Sequence, residues 1–156
     1  MNLSPKVSLL TATKSDTAIR LGIDNTPNQV QLENMIRVSG KVIEPILARY
    51  PLAFVSSFFR SPALNKKIGG AKNSQHMTGE AVDIDSPENH ANLDVFNFVK
   101  EYLTFDQLIY ESPDINGIPS WVHISLKDKD NRGQVLVFLS STKKYIPYGE
   151  YRIGMI

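Results

Sequence analysis

Two stretches decide how this chain folds and what it can bind: Ser74-Gln75-His76-Met77-Thr78-Gly79-Glu80-Ala81-Val82-Asp83 and Trp121-Val122-His123-Ile124-Ser125. Aliphatic and polar residues alternate at the end of the first stretch and throughout the second. This pattern is typical of strands with one face in the core, because successive side chains point to opposite faces. His123 and Asp83 therefore fall on the polar faces of two predicted strands.

The same stretches contain residue types that bind zinc. Two imidazoles and one carboxylate supply three corners of a tetrahedral Zn²⁺ and leave the fourth for a water that performs hydrolysis. A closed structural site would need a fourth side chain. His76 and His123 are the predicted imidazole ligands, and the spacing alone allows either Asp83 or Asp85 as the acid, since both share one strand face. The third histidine, His90, lies near the start of a predicted helix and is expected at the surface.

Composition restricts the class of protein. The 156 residues are 42% apolar, which suffices for one domain with a single core. Seventeen basic and sixteen acidic side chains nearly cancel, which argues against a nucleic-acid partner. The chain has no cysteine, so a metal must be held by nitrogen and oxygen.

The amino terminus carries no recognisable targeting signal. The first six residues are not followed by an apolar segment long enough for a signal peptide, and no run approaches the roughly 20 apolar residues of a membrane span. We therefore expect a product made in the cytoplasm, without stable membrane association.

A long helix is predicted in the first third of the chain. Thr26 as N-cap, Pro27 at the first helical position and Gln29 form an apparent capping box. Apolar residues then recur at helical spacing to about Arg49, with a bend expected at Pro45.

The remaining pattern predicts an α+β fold, in which a small antiparallel sheet packs against helices. Strands are predicted at 52–58, 81–85, 107–111, 121–126 and 134–139, the last three as an antiparallel meander. Helices are predicted after Ser61-Pro62, ending at Gly69-Gly70, and after Ser86-Pro87.

Several frames resemble the M15 zinc peptidases, which include D-Ala-D-Ala carboxypeptidases and L-alanyl-D-glutamate endopeptidases. They are Ser57-Phe58-Phe59-Arg60-Ser61-Pro62-Ala63-Leu64-Asn65, Gly69-Gly70-Ala71-Lys72-Asn73-Ser74-Gln75-His76, Phe105-Asp106-Gln107-Leu108-Ile109 and Leu21-Gly22-Ile23-Asp24-Asn25-Thr26-Pro27. The resemblance is strongest to short phage and prophage forms. It covers roughly residues 3 to 126, and the final thirty residues show little of it.

The resemblance implies one zinc peptidase domain over residues 1–156, with a motif-bearing core at about 50–140 and a fold like that of Hedgehog and DD-peptidases. It selects His76, Asp83 and His123 as the ligands of one Zn²⁺ and makes Asp85 a nearby structural acid. Arg60 is expected to stabilise the anion that forms when water attacks a peptide carbonyl.

The catalytic base departs from the pattern of many relatives, which place an acid three residues before the last histidine. That position is Ser120, and a hydroxyl cannot act as the base. Glu111, at the end of the strand expected to pair with the His123 strand, is the preferred candidate, and Asp114 is the second candidate.

Other residues have two open interpretations. Ser74 and Gln75 are expected either to bind the substrate backbone or to orient His76, and Trp121 to form a substrate wall or to be a buried structural residue. Asn65 is either near the site or on a helix surface. The last tyrosines are interpreted as a packed tail in preference to a sugar-contacting surface: Tyr145, Tyr148 and Tyr151.

The predicted activity is zinc-dependent hydrolysis of a peptide bond in bacterial peptidoglycan stem peptides by a monomer. Which bond is cleaved stays open. Without a signal peptide, a holin or a phage particle would have to deliver the enzyme to the cell wall. The alternative is a catalytically silent zinc- or wall-binding module of a phage particle, for which the missing acid at Ser120 is the argument.

Overall fold

A six-stranded sheet forms the centre of the computed structural model, which describes residues 1–156 apart from the side chain of residue 89. The strands are β1 (Asn2–Ser4), β2 (Val7–Ser8), β3 (Phe54–Ser57), β4 (Ala81–Asp85), β5 (Gln107–Glu111), β6 (Trp121–Ser125), β7 (Gln134–Leu139) and β8 (Lys144–Pro147). The helices are α1 (Leu9–Thr13), α2 (Asp16–Leu21), α3 (Gln29–Val38), α4 (Glu44–Arg49), α5 (Pro62–Lys67) and α6 (Asn89–Tyr102).

The large sheet has the strand order β3-β4-β6-β5-β7-β8, and β1 and β2 form a separate antiparallel pair. One face of the sheet packs against the helices over a core to which Met35, Ile46 and Phe96 contribute fully buried side chains. The α+β class predicted from the sequence is therefore confirmed. Within the described residues, no helix combines the length and the apolar character needed to cross a membrane.

The predicted meander of the last three strands is wrong in one pairing. β5 and β6 are antiparallel, but β7 lies on the other side of β5 and runs parallel to it. The reason lies in the loop after β6, which starts beside the beginning of β5, where Asp106 N–H donates to Ser125 O. Arg132 is bound there by Asp106, so β7 begins where β5 begins and must run in the same direction.

The long helix is present but starts two residues later than predicted. Asn28, not Thr26, is the N-cap, and it forms the capping box with Gln31. A π-helical turn, Ser39–Ile43, connects α3 to α4. Pro45 cannot donate a backbone hydrogen bond, and the wider turn directly before it lets the helix continue where a bend was expected.

Two further helix starts follow the sequence with small differences. Ser61 caps α5 through its side chain, as predicted. The last helix, α6, begins at Asn89 with Glu88 as N-cap, two residues beyond the predicted Ser86-Pro87 start. Strand β8 was not predicted, because its Lys144-Tyr145-Ile146-Pro147 sequence is short and contains a proline.

Candidate metal centre

The three predicted ligands come from two adjacent strands and one short turn. Asp83 on β4 and His123 on β6 are directly opposite each other in the antiparallel register. His76 lies in a 3₁₀ turn, Gln75–Thr78, that leads into β4. One possible ligand atom from each of the three residues lies within 4.8 Å of the other two, so the structure brings the predicted set together.

The turn that carries His76 is held from both sides. Ser74 accepts a hydrogen bond from His76 N–H at 3.3 Å, while Gln31 and Asn34 on α3 donate to the carbonyls of Met77 and Thr78. The turn ends at Gly79, whose φ is 74°. A Cβ there would lie 2.5 Å from Gln31 O, so only glycine allows the turn to pack this closely on α3.

The tautomer of His76 is defined by its surroundings. Nδ1 lies 2.5 Å from Phe58 O, and a carbonyl can only accept, so Nδ1 carries the proton. Nε2 then presents a lone pair. Nε2 is buried, has no hydrogen-bond partner among the described residues, and lies 3.3 Å from Asp83 Oδ2.

The charge state of the cluster follows from its burial. Burial lowers the pKa of His76 and outweighs the opposing charge of Asp83, which favours the neutral ring. Burial by itself would raise the pKa of Asp83, but its interactions in the cluster, which include the hydrogen bond with His123 Nδ1, hold it well below its usual range, so the acid is ionised. Two electron-rich atoms, His76 Nε2 and Asp83 Oδ2, therefore face each other across 3.3 Å.

This arrangement fits a cation. A positive ion between the lone pair and the carboxylate would remove their repulsion, and neutral imidazole with carboxylate is a donor set that zinc and related divalent metals use. His123 Nδ1 lies 2.9 Å from Asp83 Oδ1 and completes the set. The hydrogen bond from His76 to Phe58 O is the kind of outer contact that orients a ligating ring.

The cluster opens into a cavity of about 500 Å³. The predicted substrate-binding residues Ser74, Gln75 and Trp121 all line it, as do Arg60 and Glu111. The full lining is Arg60, Gly69, Gly70, Ala71, Asn73, Ser74, Gln75, His76, Asp83, Gln107, Ile109, Glu111, Trp121, His123, Gln134, Leu136 and Tyr145.

Glu111 lies at the end of β5, opposite Trp121 on β6, and its side chain is buried. Burial raises its pKa to about 7, with the Asp83 charge adding to the effect and His123 and Arg60 opposing it. A carboxyl group whose pKa lies near neutrality can both accept and return a proton, which is what general acid–base chemistry requires.

Arg60 is half-buried at the cavity edge. Its Nη1 donates to Asn65 Oδ1 at 3.4 Å, and Asn65 in turn donates to Ala71 O. Asn65 is therefore buried beside the site and is not a helix-surface residue. A Cβ on Gly70 would lie 2.1 Å from Asn65 Oδ1, so the glycine lets the loop close over this pair.

The second candidate base has a different environment. Asp114 accepts hydrogen bonds from the backbone N–H groups of Asn116 and Ile118, which shapes its own loop, and it is absent from the described lining of the cavity.

Ser120 donates to Ser112 O at the surface. Asp85 accepts from Asn92 Nδ2 and from the next backbone N–H, as a structural acid would.

Part of the cavity wall consists of residues that were not predicted from the sequence. Gln134 and Leu136 on β7 and Tyr145 on β8 line it, whereas Tyr145 was expected in a packed tail. Tyr148 and Tyr151 do pack, each against the Tyr110 ring. Alternation in 134–139 could have indicated that Leu136 shares a face with the other even-numbered residues of that strand, but not which strand it would adjoin.

Comparison with known families agrees with this geometry. The family model described as Peptidase M15 matches residues 7–125, which is more than half of the chain. The chain therefore belongs to the M15 peptidases, a family of metal-dependent peptidases. No curated protein matches it. Strands β7 and β8 lie beyond the matched residues.

Proposed function

We propose that this protein is a zinc peptidase that hydrolyses a peptide bond in the stem peptides of bacterial peptidoglycan. The observation that carries the proposal is the buried cluster of His76, Asp83 and His123, open to a cavity that Glu111 also lines. Membership of the M15 peptidases supports the reaction class. The substrate class rests on the resemblance of the sequence frames to peptidoglycan-cleaving members.

Zn²⁺ bound by the cluster would polarise the scissile carbonyl and lower the pKa of the attacking water toward about 7. Glu111 would take the proton from that water and return it to the leaving amine. The burial that raises its pKa in the metal-free chain is opposed by positive charge nearby, so a divalent cation would lower this pKa and favour the carboxylate that acts first as base.

Arg60 would stabilise the negative charge that develops on the carbonyl oxygen. Its guanidinium lines the cavity, where burial lowers its pKa and the charges of Asp83 and Glu111 oppose that shift, and it donates a hydrogen bond to Asn65. Trp121 would form one wall for the substrate, and Ser74 and Gln75 would orient the turn of His76 and contact the peptide backbone. These roles use side chains that share one cavity.

A second function keeps the metal without the reaction. Ser120 stands where many relatives have an acid, so a catalytically silent zinc- or wall-binding module, for example in a phage particle, is the alternative. The two proposals share the metal centre and differ only in turnover.

The test is mass spectrometry of fragments after defined muropeptides are incubated with zinc-loaded protein. We expect one new cleavage, whose mass identifies the bond, and we expect Glu111→Gln to slow it by at least about 100-fold because it removes the proton carrier. Asp114→Asn is the matched control and should retain parental turnover. Zinc-loaded protein that binds stem peptides but never cleaves them would favour the silent module.

The same pair of variants tests the base separately from the reaction class. If Glu111→Gln retains turnover while Asp114→Asn loses it, the base assignment is wrong although the peptidase proposal stands.

A further inference from the structure

We infer that Leu136 on β7 and Tyr145 on β8, together with the neighbouring Ile109 on β5, form a specificity wall for the substrate. This wall would bind the peptide two or three residues away from the scissile bond. The inference rests on the proposed function for the identity of the ligand, an extended peptide, but not for the existence of the wall.

The strand register places the wall on the same face as the candidate base. Glu111 pairs with Phe138 on β7, and Phe138 pairs with Tyr145 on β8. Directly paired residues share a sheet face, so Tyr145 and Glu111 point to the same side. Two strand spacings, about 10 Å, separate their backbones.

A second row of paired residues on the same sheet face contributes two apolar side chains to the wall. His123 pairs with Ile109, and Ile109 pairs with Leu136. The apolar surface formed by Ile109 and Leu136 therefore lies next to His123, a candidate metal ligand, and extends away from it across β5 and β7. The Phe138 ring lies 4.9 Å from the Tyr145 ring, centroid to centroid, which supports the phenol from the side.

These dimensions set the length of substrate that can reach the wall. An extended peptide advances about 3.3 Å per residue, so a distance of about 10 Å corresponds to about three residues. A dipeptide bound at the metal centre would cover less of β7 and β8 than a stem pentapeptide does, and so would make fewer contacts with Leu136 and Tyr145. A longer stem peptide could place an aliphatic side chain or methylene stem on Leu136 and a backbone carbonyl or carboxylate near the Tyr145 hydroxyl.

Two of the three wall residues lie beyond the family match. The three candidate ligands, Arg60 and Glu111 lie within residues 7–125, whereas Leu136 and Tyr145 lie beyond them. The chemistry and the outer substrate contacts therefore come from different parts of the chain. Gln107 donates to Gln134 at 2.7 Å and joins β5 to β7 at the rim, which links the two parts.

Binding can be measured without turnover, because Trp121 is the single tryptophan and lines the cavity. We would titrate zinc-loaded Glu111→Gln protein with a synthetic stem pentapeptide and with D-Ala-D-Ala, following tryptophan fluorescence. Tyr145→Phe and Leu136→Ala, each added to this background, should weaken pentapeptide binding about 3- to 10-fold and change dipeptide binding less than about 2-fold. In the active protein they should raise KM for the pentapeptide with kcat unchanged.

Ile146→Ala is the matched control, because Ile146 is next to Tyr145 on β8 but packs against the core on the other face. It should reduce stability and leave both affinities unchanged. Tyr145→Phe keeps the ring and its packing, so it tests the wall even if Leu136→Ala does not fold.

The inference is overturned if the two wall variants bind the pentapeptide as the parent does, if they weaken both peptides equally, or if neither peptide changes the fluorescence of the parent. The proposed function fails in a different way. Absence of cleavage, together with a length-dependent loss of binding in the wall variants, would refute the peptidase and support the wall.

Discussion

Asp83 and Asp106 are both buried acids with a lowered pKa, yet their partners differ in kind. The Asp106 carboxylate accepts hydrogen bonds from Arg132 Nε at 3.0 Å, Arg132 Nη2 at 2.6 Å and Gln75 Nε2 at 3.1 Å. These partners lower the pKa of Asp106, the hydrogen bond from Arg132 most of all. Asp83 faces two imidazoles, one of which is neutral and points a lone pair at it.

The difference separates a structural acid from a binding acid. The charge of Asp106 is balanced by a permanent cation and fixed donors, so nothing further is needed there. The charge of Asp83 has no fixed cation of this kind beside it among the described residues, and a metal ion would complete the arrangement. Gln75 connects the two sites, because its amide binds Asp106 while the next residue, His76, is a candidate ligand.

Removing the acid of the binding site should have the largest effect. Asp83→Asn replaces an anionic ligand by a neutral amide, and we expect zinc affinity to fall by more than the roughly 10- to 100-fold that loss of an outer contact costs. Zinc content after gel filtration and a chelator competition would measure it. Asp85→Asn, on the same face of the same strand, is the control and should keep one zinc. If Asp83→Asn bound zinc with the parental affinity, Asp83 would not be a metal ligand.

The structural acid should behave in the opposite way. Asp106→Asn leaves Arg132 without its buried partner, and loss of one member of a buried pair destabilises by about 3–5 kcal/mol. We expect a loss near the lower value, since the Arg132 side chain is half exposed and can turn to water. Urea unfolding would measure it, with zinc content remaining at one per chain.

The control for Asp106→Asn is Asp128→Asn, which removes an exposed acid from a surface ion pair with Arg37. Little change in stability is expected there, because exposed pairs contribute little. If Asp106→Asn instead lost zinc and kept its stability, Asp106 would belong to the metal centre.

The sequence predicted one of these acids better than the other. Asp83 is predicted as a ligand because it lies on the polar face of a strand, as period-two alternation indicates, and in a frame that resembles the M15 peptidases. The role of Asp106 cannot be predicted from the sequence, because its partner Arg132 is 26 residues away and no local pattern indicates that they meet. The same long-range ion pair lies where β5 and β7 begin side by side, and because no local pattern indicates it, the parallel pairing of these strands was not predicted although the strands themselves were.

The cavity wall shows the same limit. Tyr145 could not be placed from the sequence, because its position depends on β8 pairing with β7 and on β7 pairing with β5. The candidate site was predicted where a single motif contains the ligand residue and also indicates which strand face that residue lies on. It was missed where a side chain reaches the cavity only through sheet topology.

A third buried acid, Glu111, extends the comparison, because burial raises its pKa from 4.5 to about 7. In metal-free protein this carboxyl costs nothing below about pH 4.5, where it is protonated in both states. Between pH 4.5 and 7 the unfolded chain releases its proton first, so stability falls as pH rises. The cost reaches about 3 kcal/mol above pH 7.

Glu111→Gln should therefore stabilise metal-free protein by up to about 3 kcal/mol at pH 8 and have little effect at pH 4. Urea unfolding at the two pH values would measure the difference, with Glu101→Gln on the exposed side of α6 as control. An equal effect at both pH values would show that ionisation of Glu111 is not the cause.

The smallest expected effect concerns the second cation near Asp106. Lys127 Nζ lies 3.4 Å from Oδ1, and its side chain is one-third exposed, so it contributes as a surface charge and not as a fixed donor. Lys127→Met should lower stability by about 0.5 kcal/mol, whereas Arg132→Met should cost several times more because it removes two parallel hydrogen bonds. Unfolding of both variants at low and high salt would separate them. A loss in Lys127→Met as large as that in Arg132→Met would mean that total positive charge, and not the fixed guanidinium geometry, is what balances Asp106.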